Sequence, residues 1–146
     1  MQNRFKFRYV FAKDFGGKTS ICYKMPIFKL DTITDENFNK IVKSYIDYNY
    51  KLISIEQSTG LQDKHGKLIF EGDIVRSNEY PFMSEEQDNY YAKICWDDES
   101  AGFFYYTFKN PKFNDVRGIS TGNTGNLDEH EWEVIGNIYE NPELLK

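Results

Sequence analysis

Few side chains in this 146-residue chain are suited to chemistry: two histidines (His65, His130), two cysteines (Cys22, Cys95) and several clusters of acids. A nucleophilic site needs a nucleophile, a base and an orienting group within reach of one another. His65 sits in the turn-forming stretch DKHGK and His130 among acids in LDEHEW, and nothing beside either cysteine marks an activated thiol. A metal site could be drawn from His65, His130, Asp128, Glu129 and Glu131, but no HExxH or other fixed ligand spacing is present, and clustered surface acids are usually solvated. Asp97 and Asp98 in WDDES read as turn formers, whereas a glycosidase needs two acids held opposite each other by rigid elements. The stretch around Asp63 and Gly66 fails as a calcium loop, because His65 and Lys67 occupy positions that need oxygen ligands. No glycine run leads into Lys-Ser/Thr ahead of a helix, so a phosphate loop fails too. The expectation is a non-enzyme with no catalytic residue, no metal and no cofactor.

Binding is better served by the N-terminus. In RFKFRYVFA, residues 4–12, basic and aromatic side chains alternate, and Phe5, Lys6, Phe7, Arg8 and Tyr9 form the candidate interaction surface. Alternation puts Phe5, Phe7, Tyr9 and Phe11 on one face and Lys6, Arg8 and Val10 on the other, the pattern of a half-buried strand. Two partners suit it. The aromatics could anchor an association with a second copy or with another protein, or the strand could contact nucleic acid through phosphate pairing and base stacking. Charge bears on the choice. Residues 1–30 hold seven Lys/Arg and one acid, a net +6, against 11 basic and 22 acidic groups, a net −11, in the remaining 116 residues. So divided a chain suits attraction between its own parts or copies, while its pI near 5.1 confines any attraction to nucleic acid to a local patch.

The elements that must position these residues are mostly strands. The turn at Asp14–Phe15–Gly16–Gly17–Lys18 joins the first strand to a second over 19–29, where Pro26 removes a backbone donor and marks an edge or an end. One helix is expected over 35–46, capped by Thr34, with Phe38, Ile41, Val42, Tyr45 and Ile46 as its apolar stripe. Strands are then expected at 50–56, 67–70, 73–77, 90–96, 102–109 and 131–139. The segments 78–89 and 110–129, rich in acids or in Gly, Asn, Ser and Thr, read as long loops.

Two phrases are dense with turn and strand residues together. In TGLQDKHGKLIFEGDIV, residues 59–75, the Asp63 side chain can accept backbone N–H groups ahead of it while Gly66 takes positive φ, and Glu71-Gly72-Asp73 bends the chain again. In EVIGNIYENPELL, residues 133–145, Gly136 permits a close approach, Asn141-Pro142-Glu143 starts a helical turn, and Leu144 and Leu145 can dock it. Sharp bends so closely spaced are how small sheets curl.

The two phrases together resemble the signature of the YopX family of phage and prophage proteins, with the first 50 residues looking individual to this chain. What the resemblance implies is an SH3-like β-barrel with additions, no established activity, and no catalytic residue to carry over. The expected object is therefore a mainly β, single YopX-like domain over 1–146: an N-terminal hairpin and helix over 1–49 and a signature barrel over 50–146. With no apolar run near the ~18 residues of a membrane helix and no signal peptide at the N-terminus, a bacterial cytoplasm is the expected setting. The expected role, given the resemblance, is a phage or prophage accessory module that self-associates, with a phage or host protein as a further partner and nucleic-acid binding as the alternative.

Overall fold

The structure, a computed structural model, describes residues 5–16, 21–33, 35–77, 90–108, 116–119 and 132–146. It is mainly β with one α-helix, and it divides into two compact units, Met1–Ser58 and Thr59–Lys146. No described helix is long and apolar enough to cross a membrane.

In the N-terminal unit, strand β1 (Lys6–Asp14) pairs antiparallel with β2 (Ile21–Lys24) and β3 (Ile27–Lys29) along one side, and with β4 (Lys51–Gln62) along the other. What the alternation suggests as one return strand is thus two, interrupted at Met25-Pro26. Pro26 has no N–H to give the ladder, and its carbonyl instead accepts from the Tyr9 N–H at 3.0 Å. Helix α1 (Glu36–Asp47) starts one residue later than the sequence suggests. Its cap is Asp35, whose carboxylate accepts the Phe38 N–H at 2.8 Å; Thr34, the expected cap, lies outside the described residues. The helix lays Phe38, Val42 and Tyr45 on Tyr9, Phe11 and Phe28. Tyr9 meets Phe28 and Phe38 edge-on, with centroids 5.2 and 5.4 Å away, and Phe11 stacks on Tyr45 at 4.7 Å. The expected stripe is therefore narrower than drawn, because Ile41 and Ile46 flank it and stay exposed.

β1 is not half-buried. From Arg8 to Phe11 it is buried on both faces, since Arg8 and Val10 are as enclosed as Tyr9 and Phe11. Arg8 is accommodated by a charge partner, Glu56, directly across on β4.

The second unit holds an antiparallel sheet in the order β10–β6–β7–β8–β9, made of β6 (Asp73–Ser77), β7 (Tyr90–Asp97), β8 (Gly102–Phe108), β9 (Val116–Ile119) and β10 (Glu133–Asn137). The last part of β4 pairs with β5 (Leu68–Phe70), and Thr59 Oγ1 donates to the Ile69 carbonyl at 2.9 Å. Its core joins Ile69, Val75, Ala92, Ile94, Phe103, Tyr105 and Trp132. WDDES is a turn: Asp97 accepts the Ser100 N–H at 3.0 Å, and Asp98 accepts from the Trp96 indole at 2.9 Å. β9 corrects the expectation of one long loop over 110–129, and the rest of that segment, with all of 78–89, lies outside the described residues. The C-terminal turn (Pro142–Leu145) forms, but it buries no side chain. Leu144 is half-buried and Leu145 exposed, so two buried leucines do not dock it.

Candidate interaction surface

The two signature phrases meet at one carboxylate. Asp63 Oδ1 accepts the N–H groups of His65 and Lys67, each at 2.9 Å, closing the hairpin turn in which Gly66 takes φ +78°. Its other oxygen accepts the Val134 N–H at 3.0 Å, from the start of the second phrase. Burial alone would raise the Asp63 pKa, but these three N–H groups together outweigh it and hold the carboxyl below its usual range. Gly72, at φ +80°, is a second junction: it donates to the Ile94 carbonyl and accepts from the Ile138 N–H. Asn137 and Gly136 form a third. Asn137 Oδ1 accepts from the N–H groups of Tyr139 and Glu140, and Asn141 packs where a Gly136 side chain would stand. These bends curl and tie strands.

Beside the Asp63 turn, Glu133 receives Arg76, Lys64 (3.7 Å) and His65 (Nε2, 3.5 Å). The Arg76 hydrogen bond, aided by the charges of Lys64 and His65, lowers the Glu133 pKa. A carboxylate so engaged is a poor proton acceptor. Burial raises the Cys95 thiol, opposite to what a thiolate nucleophile needs. His130, with Asp128, Glu129 and Glu131, lies outside the described residues. Among the described residues no three His, Cys, Asp or Glu side chains are grouped to hold a metal ion.

Of the five residues proposed from sequence as a surface, only Phe5, 52 % exposed, faces solvent freely. Lys6 and Phe7 are half-buried, with Phe7 against the aromatic cluster, and Tyr9 belongs to that cluster. Arg8 is buried with Nε and an Nη both 2.6 Å from Glu56 Oε2. The exposed apolar surface lies elsewhere in the same unit. The N-terminal unit carries 11 of the 14 exposed large apolar side chains among the described residues, although the two units have nearly equal numbers of residues of known exposure. The densest stretch is on β4, where Leu52, Ile53 and Ile55 are 43, 48 and 50 % exposed. Sequence reasoning assigned this run only to a strand over 50–56. The available signal was the crowding of Leu52, Ile53 and Ile55 into four positions, more than one buried face of a strand can use.

A family model described as YopX protein matches residues 17–146. The match takes in β2, β3 and α1, so likeness to the family begins well before residue 50, and only β1 precedes it. Among solved structures, protein EF1440 from Enterococcus faecalis is similar, at 26% identity and a TM-score of 0.43, over 92% of this chain and 75% of that one. No curated protein matches.

Proposed function

The chain belongs to the YopX family, a family of unknown function, and on that premise we propose that it acts without catalysis, as an interaction module that associates with itself through its N-terminal unit. The observation that carries this reading is the concentration of exposed apolar side chains on that unit. Single exposed apolar residues need no explanation, but a cluster on one small body costs solubility unless a partner covers it. We read the second unit as an SH3-like barrel, because β6 to β9 run as a meander and β10 returns beside β6. The setting we assign, from the family resemblance, is the cytoplasm of a bacterium carrying a phage or prophage.

Nucleic acid is the alternative reading, and the surroundings of β1 weigh against it. Arg8 faces Glu56 inside the unit, and Tyr9 is packed between Phe28 and Phe38, so neither is presented to a phosphate or a base. Sedimentation at micromolar concentration tests the proposal: a mass above the 17.3 kDa of one chain is expected, and a single 17.3 kDa species at all concentrations overturns it. Filter binding to DNA across a salt series tests the alternative, for which steep salt-dependent retention lost on replacing Lys6 would be the support.

A further inference from the structure

The sheet edges of this protein differ in how they are protected. β2 and β3 are short, flank Pro26 and carry Lys24 and Lys29, all features that discourage a strand from adding there. β5, β9 and β10 are three, four and five residues long. β4 is the exception. It is 12 residues long, and its described neighbours are β1 along one side and the three-residue β5 along the other. The contact of Thr59 with Ile69 places β5 beside the C-terminal part of β4, away from residues 51–55. That stretch, open among the described residues, reads Lys-Leu-Ile-Ser-Ile, with one lysine at its end and no proline. A bulge interrupts its register with β1 between Val10 and Phe11, where the partners step from Ser54 to Leu52 and leave Ile53 as the extra residue.

We infer that the open side of β4 at residues 51–55 takes up the same stretch of a second copy, antiparallel, so that two N-terminal sheets become one. The inference rests on the self-association reading and names its surface. A second copy is the occupant the stretch itself favours. A two-fold through Ser54 sets Ile53 of one copy against Ile55 of the other, twice over, so the same two exposed apolar residues supply both halves of the contact. Backbone N–H and C=O groups on the open side of each strand then satisfy those of the other. Because such a contact closes on itself, it ends at a dimer rather than a fibre.

The test pairs two charge substitutions read by sedimentation on the full chain. Ile53→Lys places a charge inside the proposed contact, and Ile21→Lys places one on β2, at the opposite edge, where Ile21 is 55 % exposed. The expected result is a dimer for the native chain and for Ile21→Lys, with the dissociation constant of Ile53→Lys raised at least about tenfold. Hydrogen exchange adds a readout independent of the substitutions: amides in 51–55 should become protected as concentration rises. A native-like circular dichroism spectrum and a cooperative thermal transition show that Ile53→Lys folds, its melting temperature falling only by what loss of the partner removes. A native chain that is monomeric removes the self-association reading and this one with it. A native dimer that survives Ile53→Lys, or one that Ile21→Lys dissociates instead, overturns the β4 contact alone.

Discussion

At the scale of single residues, two buried charges hold the fold and neither is free to act on a ligand. Replacing Arg8 with Ala leaves Glu56 buried without its facing guanidinium, and the expected cost is about 3–5 kcal/mol in denaturant unfolding. Replacing both members with apolar residues of similar volume should recover most of that loss, an outcome a phosphate-binding Arg8 would not produce in a stability measurement. Asp63 is the second. Asp63→Ala removes the acceptor of three backbone N–H groups at once, and about 2–4 kcal/mol of destabilisation is expected. The folded Asp63 titrates below its ordinary value of 3.8, so the unfolded chain binds the proton more readily. Its contribution is therefore complete above pH 4 or so and is lost as the pH falls through the depressed folded value. Acid unfolding followed by circular dichroism should show this component vanish in Asp63→Ala. The role of Asp63 in its own turn was legible in the sequence, since Asp before a Gly-closed turn implies side-chain acceptance. Its bond to Val134 was not, because no local pattern says which distant N–H fills the second oxygen. Arg8 was misread for a related reason: alternation assigns a face, but only the facing strand shows that Glu56 makes burial on that face tolerable.

At the scale of elements, strand existence followed from period-two patterning, and the departures occur where tertiary contacts decide. Pro26 split one expected strand into β2 and β3, and its missing donor was readable in advance. β9 was hidden because VRGI has neither length nor alternation and forms by adding to β8. The C-terminal turn illustrates the same limit: its Asn-Pro start was visible, but the Asn141 side chain makes no cap bond within the turn, and the burial of its leucines depended on a surface the sequence does not describe. What holds that turn is Asn141. Its Oδ1 accepts the Asn137 N–H at 3.3 Å and stands where a Cβ on Gly136 would be. Gly136→Ala must push the Asn141 side chain away and break that bond. A loss of about 1–3 kcal/mol is expected, with thermal melting as the check. If Asn141→Ala removes the clash, the double substitution should cost less than the sum of the two single ones.

For the whole molecule, charge distribution separates two ways of assembling. The N-terminal unit holds ten basic and six acidic residues, net +4, and the second unit eight and 17, net −9. Assembly that placed the basic unit of one copy on the acidic unit of the next would be driven by that difference, and salt would weaken it. Such a head-to-tail contact also leaves a free end on each copy and grows beyond a dimer unless the rotation closes a ring. Pairing through β4 brings two +4 units together, so screening should leave the dimer unchanged or tighten it. The apolar character of Leu52, Ile53 and Ile55 points the same way, because burial of apolar surface is strengthened by salts excluded from protein surfaces. Sedimentation at 50 mM and 500 mM salt, chosen as roughly 14 and 4 Å of screening length, distinguishes the two. A mass that stays at two chains or rises toward two chains with salt supports the β4 pairing. One that falls to 17.3 kDa assigns the assembly to attraction between unlike units.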